Sequence, residues 1–198
     1  TAISGIGCDE FMNDSQLEHL IIRGKDSEAT GLPLILERIA ENITVSFCPN
    51  SSSSPESIVF FPEYYEWLDE ISPAHIFSRS IHGEGFRMRK SFENGILNYR
   101  KYDSCLENAL TVESPESLCK IALNRLRWPS RLEDIFREKY ENVIKKYMGT
   151  AFTLAVKDQD FPMLQFICEH FSPDASALAS AIDQCIDCLL YTSDAADD

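Results

Sequence analysis

From Tyr99 onward, apolar residues recur three and four positions apart, and prolines and a glycine cut the pattern into lengths that suit helices. Ser114-Pro115 opens one such stretch, with Leu118, Ile121, Ala122, Arg125 and Leu126 at helical spacing, and Pro129 closes it. Ser130 with Glu133 three residues later reads as a capping box for a helix that runs to about Lys146 on Leu132, Ile135, Phe136, Tyr140, Val143 and Ile144. After Gly149, shorter helices are predicted at about 151–157 and 161–170, and an Ala-rich helix at 174–187.

The same reading extends upstream. Gln16–Lys25 is predicted helical on Leu17, Leu20 and Ile21, with Gly24 as its stop. Leu32 to Ile43 is predicted helical on Leu32, Leu36, Ile39 and Ile43. Within Ile58–Ile71, Phe61, Tyr64, Tyr65 and Leu68 fall on one helical face. Strands are expected only at 1–4 and near 43–47, so the fold class predicted is mainly α. A chain of 198 residues suffices for one domain with a sizeable core. The Ser-rich stretch between Cys48 and Ser57 reads as a surface loop within that domain.

A net charge of −14 argues against nucleic acid and anionic membranes as partners. No apolar run approaches the ~20 residues that span a bilayer. The seven cysteines are scattered singly except for Cys185-x-x-Cys188, which suits reduced, mostly buried thiols and a cytoplasmic setting. The basic residues Arg79, Arg87, Arg89, Lys90, Arg100 and Lys101, with His82, form an island that reads either as a phosphate contact or as a face balancing nearby acids.

At the other end, Ser4-Gly5-Ile6-Gly7-Cys8-Asp9-Glu10 follows an apolar start and precedes a predicted helix. Gly5 and Gly7 permit close backbone approach of a ligand. The helix start would favour an anion, and Asp9 and Glu10 stand where phosphate-bound Mg²⁺ could be held. These residues resemble the second signature of the asparagine synthetase family, and most nearly its asparagine synthase-related branch. The residues of Gln16–Lys25, Trp67-Leu68 with Ile76-Phe77, and Ser91-Phe92-Glu93-Asn94 also resemble segments of that branch. The resemblance implies that residues 1–187 are part of the helical C-terminal portion of an α/β adenine-nucleotide-hydrolase-like synthetase domain. It implies an ATP-dependent amide-forming enzyme that adenylates a small-molecule or peptide carboxylate. Ser4, Gly5, Gly7, Asp9 and Glu10 would bind the nucleotide, Asp9 would hold Mg²⁺, and Lys120 would be the catalytic lysine. Ile6 stands where true asparagine synthetases carry a catalytic Glu, so asparagine is not implied as product. The family's Ser-Gly-Gly-x-Asp-Ser loop that grips ATP is not in this sequence, and a fragment without it is expected not to turn over. Residues 188–198 resemble a translated sequencing adaptor and are set apart as an artefactual tail.

A second resemblance covers residues 150–182. Thr150-Ala151-Phe152-Thr153-Leu154-Ala155-Val156 and the helix-prone 161–170 are similar to one divergent ankyrin repeat, with a second start at Ser176. Ser117-Leu118 through Leu132 also resembles a ubiquitin-ligase adaptor box, with a shorter gap. This reading implies a helical protein-binding module with a protein partner.

Overall fold

The computed structural model describes residues 16–24, 31–51, 54–71, 76–176, 178–179, 182–183 and 186. Strand β1 (His19–Arg23) pairs in parallel with β2 (Ile43–Cys48), and β2 pairs antiparallel with β3 (Ser57–Phe61). One short helix, α1 (Leu32–Leu36), lies in the β1–β2 crossover, and the Ser-rich loop joins β2 to β3. A separate two-stranded ribbon follows, β4 (Tyr65–Ile71) with β5 (Ile76–His82). Helix α2 (Gly85–Arg89) leads into a second hairpin, β6 (Phe92–Glu93) with β7 (Ile96–Leu97). Helices fill the rest: α3 (Tyr99–Ser104), α4 (Leu106–Val112), α5 (Pro115–Arg127), α6 (Asp134–Lys146), α7 (Met148–Lys157) and α8 (Phe161–Phe171).

The described chain is therefore mixed α/β, and the mainly-α expectation is overturned. With it goes the reading of the chain as the helical C-terminal portion of a synthetase domain. The helix predicted at Gln16–Lys25 is strand β1. The helix predicted over Leu32–Ile43 stops at Leu36, and Ile43 begins β2. The aromatic stretch Ile58–Ile71 holds two strands rather than one helical face. The physical reason is common to all three. A short apolar run satisfies helical and extended spacing alike, and β-branched and aromatic residues favour a pleated, half-buried surface. Ser91-Phe92-Glu93-Asn94 is not a helix cap either. Asn94 (φ 51) and Gly95 (φ 80) turn the β6–β7 hairpin, because a two-residue turn with both φ values positive matches strand twist.

The helical half follows the sequence more closely. Ser114 caps α5, its side chain accepting the Ser117 N–H at 3.1 Å, with Pro115 in the first turn. Asp160 caps α8 through the Met163 N–H at 2.9 Å. The Ser130–Glu133 capping box does not form. Helix α6 begins at Asp134 after Glu133, and the Ser130 carbonyl instead accepts from Arg125. Residues 175–176, 178–179, 182–183 and 186 are helical, as the Ala-rich stretch predicts.

The core lies where α5 crosses β3. Every residue of β3 is buried, and α5 turns Leu118, Ile121, Ala122 and Leu126 inward, while α6 and α7 pack on α5 and α8 on α7. Burying each large aliphatic side chain contributes roughly 1.5–3 kcal/mol. Two polar devices sit inside this apolar layer. Tyr102 donates to the Phe60 carbonyl at 2.5 Å and sets its ring edge-on to Phe61 at 5.5 Å. Arg125 forms a two-pronged pair with Asp103 at 2.8 and 2.9 Å, and Tyr140 donates to the same carboxylate at 2.8 Å. Burial works against the Arg125 charge, yet its bonds to Asp103 outweigh this and raise its pKa. Burial also pushes the Tyr102 and Tyr140 phenols up, so both stay protonated donors.

Candidate functional site

Ser4, Gly5, Gly7, Asp9 and Glu10 lie outside the described residues, and so does the tail from 188. Lys120 is described. It stands half-buried on α5 with its Nζ 5.5 Å from the centre of the Phe60 ring. It borders a cleft of about 280 Å³ shared with His19, Asn124, Asp158 and Asp160. The neighbours named are carboxylates, an amide and an imidazole rather than further cations, so this is not a set that would gather a triphosphate. His19 donates to or accepts from the Ser46 hydroxyl at 2.7 Å, and Asp160 is held by Arg127 and by the α8 cap.

The basic island is dispersed. Lys90 meets Glu37 at 2.6 Å, Lys101 meets Glu93 at 2.5 Å, and Arg79 is paired with Glu66 across the ribbon. Arg100 reaches Glu133 at 3.6 Å. Arg89 is buried and donates to the carbonyls of Pro62 and Glu41, both at 2.6 Å. Burial lowers its pKa to about 10, which still leaves it charged at neutral pH. Of the two readings of the island, these geometries match charge balance and backbone anchoring.

What the structure does gather is a cleft of about 700 Å³ at the root of the β4–β5 ribbon. One wall is the ribbon base, Tyr65 and His82, whose rings stack at 5.0 Å with 13° between planes. The other wall is α4 and the start of α5, with Asn108, Glu113 and Ser117. Two glycines bring the backbones together at the root. Gly83 has φ +91, and a Cβ there would stand 2.7 Å from the Glu63 carbonyl oxygen. A Cβ on Gly85 would fall 1.9 Å from the Pro62 oxygen. Any side chain at either position would push the Pro62–Tyr64 segment away from the start of α2.

Glu84 lies at the bottom of this cleft with only 1 % of its surface exposed. Its backbone N–H donates to Glu113 Oε1 at 2.6 Å, and Asn108 donates to its Oε2. Its Oε1 accepts no hydrogen bond, and the nearest cation is Arg87 Nη1 at 3.4 Å. Glu113, half-buried beside it, has its pKa raised. Desolvation is the main cause, and the nearby Glu84 and Glu63 charges add to it against the Glu84 N–H bond and Arg89. The folded protein thus holds this proton more tightly than the unfolded chain, so stability declines as pH rises from the ordinary carboxylate range through the raised value. Glu113→Gln keeps an oxygen for the Glu84 N–H and removes the charge. The variant is expected to melt above the parent at pH 7 and close to it below pH 4. Thermal melts at both pH values test this, and an equal difference at the two would refute it.

The ribbon itself displays several large apolar side chains. Tyr65 (60 % exposed), Trp67 (57 %), Leu68 (66 %) and Phe77 (67 %) face solvent. Register divides them between two faces, with Tyr65, Trp67 and His82 on one and Leu68, Phe77 and Ile81 on the other. Trp67 Nε1 donates to Asp69 at 2.5 Å. No third strand joins this pair among the described residues, so both long edges keep backbone groups unpaired within the sheet. The aromatic Tyr65 and Trp67 two apart around Glu66, with β-branched Ile76 and Ile81 downstream, were a readable strand signal, masked by the coincident helical spacing of Phe61, Tyr64, Tyr65 and Leu68.

Among the described cysteines, Cys48, Cys105 and Cys119 are buried and free, and Cys168 is exposed. Burial pushes the Cys105 thiol up to about 11 and the Cys119 thiol up to about 12, away from nucleophilic use. No helix among the described residues is long and apolar enough to cross a membrane.

Compared with protein-family models, with curated proteins and with solved structures, the chain matches none.

Proposed function

We propose that this chain is a protein-binding module that docks a partner segment along the β4–β5 ribbon, in a cytoplasmic setting. The observation that carries the reading is the solvent-facing set Tyr65, Trp67, Leu68 and Phe77 on a two-stranded ribbon with open edges. A two-stranded ribbon is marginal alone, and a third strand with apolar cover would stabilise it. Helices α7 and α8 pack together across the short Asp158–Asp160 turn, within the span 150–182 that resembles a divergent repeat. The amide-forming reading rests chiefly on residues 1–25, with looser likeness within 58–125, and the helix expected at Gln16–Lys25 is strand β1.

The occupant is an extended segment with apolar and basic side chains. Glu63, Glu66, Asp69, Glu84 and Glu113 line the ribbon and its root, and Arg79 there is already matched by Glu66. A second copy of this chain, at net charge −14, would add repulsion.

The test is selection from a displayed library of random twelve-residue peptides on the intact chain. The control is the triple variant Trp67→Thr, Leu68→Thr, Phe77→Thr, which keeps strand-favouring residues at exposed positions. Peptides enriched on the parent should bind the triple variant at least about tenfold more weakly, as removal of aromatic anchors does. Enrichment that is equal on both proteins, or absent from both, would overturn the reading.

A further inference from the structure

We propose that the cleft at the ribbon root receives one cationic side chain of the bound segment, a lysine ammonium or arginine guanidinium, with Glu84 Oε1 as its acceptor. The inference rests on the docking role of the ribbon and adds the chemistry of the anchor.

Glu84 is the pivotal observation. A buried carboxylate is ordinarily paired and hydrogen-bonded on both oxygens. Here Asn108 serves Oε2 and the Cys105 thiol lies against the same carboxylate, while Oε1 is buried and accepts no hydrogen bond, in a residue that lines the cleft. Arg87 answers part of the charge from 3.4 Å, but its side chain is 63 % exposed and beyond hydrogen-bonding distance for a well-formed N–H···O contact. It occupies the rim and can swing outward, leaving the oxygen to an incoming donor. Glu113 and Glu63 add negative potential to the same cleft, which rejects an anion. The stacked Tyr65–His82 pair and the ring of Phe86 supply the apolar wall that the methylenes of a lysine or arginine need, and aromatic faces attract the cation itself. A metal ion is the poorer fit, because no three His, Cys, Asp or Glu side chains among the described residues are grouped as ligands. At about 700 Å³ the cleft has room for one long side chain with water.

The ribbon leads directly into this cleft. Tyr65 and His82 are the last paired residues of β4–β5 at its root and also line the cleft. A segment added along the ribbon would carry a side chain over Glu84.

The probes are the peptides enriched on the parent protein, each remade with its basic residue replaced by norleucine. Enriched peptides should share a lysine or arginine at one position. Norleucine at that position should weaken binding to the parent at least about tenfold, and to Glu84→Gln less than about twofold. Affinity for the basic peptide should also fall with added salt. Arg87→Ala, an exposed change, removes the rim competitor and should tighten the basic peptide while leaving the norleucine peptide unchanged. That variant decides the matter if Glu84→Gln proves unfolded by its thermal melt. Peptides that need Trp67, Leu68 and Phe77 yet ignore both the basic position and Arg87→Ala would overturn the cationic anchor and leave the docking ribbon standing. Enrichment of acidic residues would overturn the anchor as well. Loss of all discrimination between the parent and the ribbon triple variant would overturn both.

Discussion

Replacing Asp103 with asparagine is expected to lower the unfolding free energy by about 3–5 kcal/mol, the usual cost of orphaning one member of a buried ion pair. Asp103 is 1 % exposed and Arg125 is fully buried, so the remaining guanidinium could not be rescued by water. Asp103→Asn retains the shape and one acceptor oxygen but loses the charge that offsets the desolvation of Arg125. The Tyr140 hydroxyl would also exchange a charged acceptor for a neutral one. The pair ties α3 to α5, and Tyr140 brings in α6, so the loss falls on the junction of three helices. Urea denaturation measures it directly, and a midpoint change worth less than about 0.5 kcal/mol would show that the pair does not hold the junction. The double change Asp103→Leu with Arg125→Met should be less harmful than Asp103→Asn alone, because an apolar pair leaves no buried charge unmatched.

The second large effect is expected at Arg89. Arg89→Met preserves length and burial but removes the donors to the Pro62 and Glu41 carbonyls. Leaving those acceptors bare should cost about 2–4 kcal/mol in total. Arg89 also lies 5.1 Å from the Tyr64 ring and 5.8 Å from the Phe61 ring, at the turn between β3 and the ribbon. The loss should therefore be local as well as global. Amide hydrogens of Tyr65–Ile71 and Ile76–His82 should exchange faster than those of α5 when the two proteins are compared at equal stability. Ribbon exchange no faster than that of α5 would mean that Arg89 supports the core alone. A looser ribbon should also bind its peptide more weakly, since the segment would then have to order it.

These two arginines show where local reading loses information. Arg125 sits at helical spacing with Leu118, Ile121 and Ala122, and periodicity alone placed it on the inward face. Nothing nearby announced the acid that accepts it, because Asp103 lies 22 residues away. Arg89 belongs to a run of bases that read as a phosphate contact or a solvated face. Its acceptors are main-chain carbonyls 27 and 48 residues away, invisible in side-chain chemistry. The ion pairs Lys90–Glu37 and Lys139–Glu107 are of the same kind.

Strands were misread for a related reason. The segments that became β1 and β3 each held apolar residues compatible with a helical stripe, whereas β2 stands where a strand near 43–47 was expected, and a strand is defined by its neighbour rather than by itself. His19–Arg23 is extended because Ile43–Cys48 lies beside it, and β2 in turn lies against β3. The Asn94-Gly95 hairpin was legible, since its turn chemistry is contained in two residues, but the preceding Ser91 drew the reading toward a helix start.

The sequence by itself determined α5 and α8 closely, α7 but for its start at Met148 ahead of Gly149, α6 but for its cap and the exposed Ile135, and the burial of Leu118, Ile121, Tyr140 and Ile144. Those features depend on side chains three and four residues apart and on caps within one turn, so the information is local. Only the tertiary structure decided the pairing of the sheet, the partners of the two buried arginines, and the cleft lined by Glu63, Glu84 and Glu113. Each of these joins groups that are distant along the chain, and the same dipeptide can be strand or helix, paired or bare, until its neighbour in space is in place.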